Sequence, residues 1–70
     1  MTQFDETLGA VLRDCRVKKK MTQQELSKKM HVTKMTISHW ENGKRSMTAE
    51  NLKRYCQILD VSVQSVLERT

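Results

Sequence analysis

The 70-residue chain has no proline and only two glycines, Gly9 and Gly43. With so few breakers and no low-complexity tract there is no place for a flexible linker, so residues 1–70 read as a single domain. Aromatic residues are equally scarce, one each of Phe, Tyr and Trp, too few for the exposed stacking platforms that read single-stranded RNA. The two cysteines, Cys15 and Cys56, come without CxxC or HxxxH spacing, which argues against zinc or any other metal. Each falls in a helical apolar pattern and reads as a reduced, buried thiol. There is no glycine-rich phosphate loop and no nucleophile–base pair, so neither an enzyme nor a cofactor is expected, and no small-molecule ligand is evident. Nor is there a signal peptide or an apolar run near the roughly 20 residues that span a bilayer. A cytoplasmic protein with no membrane partner is expected.

What the chain does have is positive charge. Thirteen Lys and Arg stand against eight Asp and Glu, giving a formal charge of +5 and a pI of about 9.6, the balance expected of domains that meet nucleic acid. Ten of the basic residues lie between Arg13 and Arg45, with only three acids, Asp14, Glu25 and Glu41, among them. One region therefore carries the field.

Hydrophobic periodicity describes short helices throughout. Phe4, Leu8, Val11, Leu12 and Cys15 form the stripe of an amphipathic helix running to about Lys19. The lysines at 18–20 suit its end, where cations complement the helix dipole, and read as a solvated terminus. "TQQE" at 22–25 matches the capping box. It opens a second helix that buries Leu26 and Met30. Three residues on, Thr33 caps the next helix, and that gap is the spacing of a helix-turn-helix over about residues 22–42. Asn42-Gly43 ends the third helix by offering a left-handed residue. Thr48 caps a fourth, with Leu52, Tyr55, Cys56 and Leu59 inward; Ser62 caps a fifth, with Val66 and Leu67 inward.

The third helix, from Lys34 to Glu41, is two-faced. With Lys34 at 0° and about 100° per residue, Met35 lies near about 100°, Ser38 at about 40° and His39 at about 140°, while Ile37 and Trp40 fall on the opposite side. Burial of the Ile37/Trp40 face would stabilise a segment whose own helix propensity is weak.

These residues resemble a known family, the phage repressor and Cro-like helix-turn-helix domains, a lambda repressor-like group of transcription regulators. The likeness runs from residue 8 to 67, through "LRDCR", "MTQQELSKKM", "VTKMTISHWENGKR" and "LDVSVQSVL". It implies an all-α, compact five-helix domain whose third helix enters the major groove. By the resemblance, Lys34, Met35 and His39 align with base-contacting positions, and Ser38 shares their arc. Gln23 aligns with a phosphate clamp at the start of the second helix; Asn42, Lys44 and Arg45 look like further backbone contacts. Arg16 and Glu41 match a pair that in many members forms a buried salt bridge. Three positions depart from the family's pattern: His31 stands in the turn where glycine is usual, Asp60 where glycine often precedes the last helix, and Met47 where proline often precedes the fourth.

The resulting expectation is a sequence-specific regulator of double-stranded DNA, a repressor binding a palindromic operator as a homodimer. With no residues left for a separate dimerisation module, a weak interface around Val61, Val63 and Val66 is expected. The alternative is an antitoxin-like or antirepressor-like interaction module with secondary DNA binding.

Overall fold

The computed structural model describes residues 2–70. Among them are five helices and no strand: α1 (Gln3–Lys18), α2 (Gln23–Met30), α3 (Lys34–Glu41), α4 (Ala49–Leu59) and α5 (Val63–Glu68). Every helix begins the same way. Thr2, Thr22, Thr33, Thr48 and Ser62 are extended residues whose hydroxyls accept the amide three positions on, satisfying one of the donors that a helix start leaves unpaired. In α1 and α2 the bond is reciprocated, by Asp5 and Glu25, to complete capping boxes.

The first four helices also end alike. Lys20, His31, Gly43 and Asp60 each take a positive φ of 57–73°. Each is followed by an amide bonded five residues back: Met21 to the Arg16 carbonyl, Val32 to Ser27, Lys44 to His39 and Val61 to Cys56. This is the Schellman closure, and a single glycine serves among its four left-handed residues. His31 and Asp60 thus adopt the conformation their positions demand, and both belong to the few non-glycine types enriched there.

The core draws on all five helices: Leu8 and Leu12 from α1, Leu26 and Met30 from α2, Ile37 and Trp40 from α3, Leu52, Tyr55, Cys56 and Leu59 from α4, and Val66 from α5. Full burial of such apolar side chains stabilises by up to about 1.5–3 kcal/mol each. Cys15 and Cys56 are free and buried.

Three expectations are corrected here. Phe4 shares the angular stripe of Leu8 and Cys15 but is 52 % exposed. It stands roughly 16 Å along the axis from Cys15, whereas α5 reaches α1 at that far end, through Arg69 to Asp14 and Cys15. In the first turn Asp5 is the buried residue, its carboxylate accepting from Ser46 Oγ at 2.8 Å. Leu67, expected inward beside Val66, is 42 % exposed; adjacent residues of a helix diverge by about 100°, so a single short face admits one of the two. Val66 is fully buried inside the chain and has no surface to give to a dimer interface.

Gly9 sets how closely α1 and α3 approach. A β-carbon there would lie 2.3 Å from the Trp40 carbonyl oxygen and 2.7 Å from that of Glu41. Alanine favours a helix interior over glycine by about 1 kcal/mol, so at an open site Gly9→Ala would stabilise. Here the obstacle is backbone, and we expect a net loss of about 1–3 kcal/mol, measured as a lower urea midpoint at unchanged slope. A raised midpoint would mean that the helices are not in this contact.

Candidate nucleic-acid interface

α3 carries its two faces as the angles require. Ile37, Trp40 and Glu41 are buried, Lys34 and Met35 are exposed, and Ser38 and His39 are half-buried along the same outer edge. Met35, at 65 % exposure, is the most exposed of the large apolar side chains among the described residues. Ser38 Oγ accepts from Asn42 Nδ2 at 3.3 Å, joining the outer edge to the turn that follows. Lys44 and Arg45 are exposed beyond Gly43, and the Lys44 amide, bonded to the His39 carbonyl at 2.9 Å, holds that turn against the helix end. His39 Nδ1 is buried without a hydrogen-bond partner. The turn between α2 and α3 comprises residues 31–33, closed by the Val32 amide on Ser27. Thr33 closes the start of α3 by accepting from the Thr36 amide at 3.1 Å.

Beneath this surface lies a buried carboxylate. Glu41 Oε2 accepts from Arg16 Nε at 2.8 Å and from the Tyr55 hydroxyl at 2.5 Å; Oε1 accepts from Arg16 Nη2 and from Gln23 Nε2, both at 3.0 Å. The Arg16 and Glu41 side chains are 9 % and 1 % exposed. Arg16 Nη1 also donates to the Met21 carbonyl at 2.7 Å, tying down the α1–α2 turn. Burial pushes the Glu41 carboxyl up, but donation by Arg16, Tyr55 and Gln23 outweighs it, and the group is held below its ordinary value. For Tyr55, desolvation and the adjacent Glu41 charge both push the phenol well above its ordinary range. The fork of Arg16 is held charged by Glu41.

Sequence reasoning did not reach two members of this set. Tyr55 read as a core residue alone, and Gln23 as a phosphate clamp with no inward bond. Nothing local signals either contact, since Tyr55 and Gln23 lie 14 and 18 positions from Glu41. Gln23 is not thereby lost to the surface, because an amide nitrogen has two hydrogens and only one is given to Glu41. Among the described residues no cluster of three His, Cys, Asp or Glu could hold a metal ion, and no helix is long and apolar enough to cross a membrane.

Two short helices joined by a three-residue turn, the second buried on one side and presenting Lys34, Met35, Ser38 and His39 along its outer edge, define a helix-turn-helix DNA-binding domain. Residues 12–66 match the helix-turn-helix family. The chain belongs to its Cro/C1-type, lambda repressor-like group, a family of transcriptional regulators rather than enzymes. It is similar to the HTH-type transcriptional activator BcrR of Enterococcus faecalis, 32 % identical over 56 residues that make up 80 % of this chain and 28 % of that protein. An uncharacterized HTH-type transcriptional regulator of Bacillus subtilis (strain 168), YqaE, is 35 % identical over 57 residues, 81 % of this chain and 49 % of that one. The chain therefore spans less than half the length of either regulator. Among solved structures, the clp gene regulator ClgR from C. glutamicum superposes with a TM-score of 0.92 at 33 % identity, covering 99 % of this chain and 90 % of that one. The restriction-modification controller protein C.AhdI from Aeromonas hydrophila shares the fold, with a TM-score of 0.87 at 20 % identity over 93 % of this chain and 98 % of its own.

The buried carboxylate yields two measurable consequences. Glu41→Ala leaves the Arg16 charge buried and unpaired, and we expect a loss of about 3–5 kcal/mol in urea titration; a loss within the 0–1 kcal/mol typical of exposed pairs would contradict the burial. Because the folded value of Glu41 lies below its ordinary 4.5, its contribution is complete above that value. It is lost as pH falls through the lower folded value. Glu41→Gln should remove that segment of the acid limb, so a variant whose stability declines with acid as steeply as wild type would contradict the assignment.

Proposed function

We propose that the domain is a sequence-specific transcriptional regulator that reads double-stranded DNA by laying α3 in the major groove. The observation that carries this reading is the outer edge of α3. Met35 is exposed where an apolar side chain gains nothing from water, Lys34 and His39 flank it, and the opposite face is locked into the core. Met35 suits a thymine methyl, and Lys34, Ser38 and His39 suit polar base edges. Asn42, Lys44 and Arg45 extend past the helix end toward the sugar-phosphate backbone, and Gln23 offers its second amide hydrogen to a phosphate.

Regulation follows from occupancy. Two copies, over half-sites roughly one helical turn apart, would cover a palindromic operator and repress by excluding other proteins. With Val66 buried, a weak dimer would rest on Leu67 and the half-buried Val61 and Val63. The names of the similar proteins, transcriptional regulators of bacteria, support the general reading.

Selection of bound sites from random duplex DNA tests both target and symmetry: a palindrome supports the homodimer, a single half-site removes it, and no enrichment removes sequence-specific reading. On the selected site, Met35→Ala and His39→Ala should each weaken operator more than scrambled duplex, by about 1–3 kcal/mol for a good base contact. Lys44→Ala should weaken both duplexes alike and make the salt dependence shallower by roughly one unit. An unchanged operator-to-scrambled ratio in both α3 variants would show that this helix is not the reading element.

A further inference from the structure

An open groove of about 630 Å³ lies where the end of α1 meets the starts of α2 and α3, lined by Arg16, Val17, Lys20, Gln23, Gln24 and Lys34 among others. No carboxylate is among its lining residues. Arg16 is committed to Glu41, which leaves Lys20 and Lys34 as the cations that face an occupant. Lys18, two residues earlier, is paired with Asp14 at 3.1 Å. Among the described residues neither Lys20 nor Lys34 has such a partner.

The backbone makes Lys20 the anomaly. It is left-handed, with φ 58°, closing α1 through the bond from the Met21 amide to the Arg16 carbonyl at 3.2 Å. Glycine occupies such a position without strain, and Asp and His are the charged or polar types enriched there. The chain uses glycine, aspartate and histidine at its three other closures. Lysine has no such conformational advantage, so its presence calls for a reason in its side chain. Residues held in sparsely populated backbone regions cluster where a ligand is bound.

We propose that Lys20 is a phosphate-binding residue, its ammonium seated on a phosphodiester of the DNA backbone lying in this groove, beside Lys34 at the head of α3. The proposal rests on the reading of α3 as the element in the major groove, because Lys34 heads that helix and brings the same strand past the groove. A duplex backbone, rather than a free anion, fits an open trough rimmed by two unpaired cations. Lys20 thereby passes from the solvated helix end that its lysine run suggests to the interface itself.

Lys20→Gly separates conformation from charge, since it relieves the left-handed strain and removes the ammonium. We expect a thermal midpoint equal to or above wild type, together with weaker binding to operator and scrambled duplex by the same factor. The dependence of log K on log salt should be shallower by about one unit. Lys20→Asn, which tolerates the left-handed region, should behave likewise, and Lys20→Arg should restore the slope. Lys53→Ala, outside the groove on α4, should leave the slope unchanged. A wild-type slope and affinity in Lys20→Gly and Lys20→Asn would overturn the proposal while leaving the α3 reading intact; absence of duplex binding by the wild-type protein would remove both. Inorganic phosphate that bound wild type but not Lys20→Gly, without displacing the duplex, would mark a free-anion site and overturn the assignment to DNA.

Discussion

A negative charge buried at the C-terminal end of a helix is doubly unfavourable, by desolvation and by the partial negative charge of the carbonyls around it. Glu41 is in that position, and the rest of the molecule is arranged to satisfy it. The donors come from three different helices: Arg16 from α1, Gln23 from α2 and Tyr55 from α4. A buried ion pair contributes little net stability compared with a well-packed apolar replacement, but its hydrogen bonds have direction. Four helices meet at one carboxylate, and α3 cannot rotate about its axis without breaking bonds to all three of the others. The outer edge of α3 is aimed by a contact on its inner side.

Much of this was legible in the chain, and the remainder was not for identifiable reasons. The helices announced themselves through apolar spacing and through the hydroxyls Thr22, Thr33, Thr48 and Ser62. The cap Thr2 lies ahead of Phe4, the earliest apolar residue of the first helix, so apolar spacing does not reach it. Periodicity reports the angle of a side chain about its helix and says nothing of whether another element lies opposite. That is why Phe4 has the right angle and no cover, and why Val66 and Leu67 could not be ranked. At the site, the outer arc of α3 followed from angles alone. The convergence of Gln23 and Tyr55 on Glu41 depends on how α1, α2 and α4 pack, which no local pattern encodes.

The scarcity of glycine is a property of the closures rather than of the helices. Each left-handed residue other than Gly43 adds strain to the folded chain, yet each also restricts the unfolded chain more than glycine would, and the two effects partly offset. The consequence is a set of turns with little freedom. Backbone bonds on both sides of the left-handed residue pin each one, and side-chain bonds brace two of them further: Arg16 holds the Met21 carbonyl, and Arg54 Nη2 holds that of Met30 at 2.5 Å. The turn on each side of α2 is thus fastened by an arginine side chain, from α1 itself before α2 and from α4 after it.

The same division of labour explains the weak propensity of α3. On the proposed reading the outer residues are selected for the groups they offer to base edges, and Ser38 and His39 are poorer helix formers than alanine or leucine. The inner positions must then hold the helix together. Ile37 and Trp40 do so by burial, Thr33 by capping and Glu41 by its three donors. Stability is carried by the inner residues of this eight-residue helix, which leaves the outer edge to the proposed reading, and side chains there can change with little effect on the fold. On that reading a substitution at Ile37 or Glu41 acts on DNA binding only by moving or unfolding α3, whereas one at Met35 acts on the proposed contact itself.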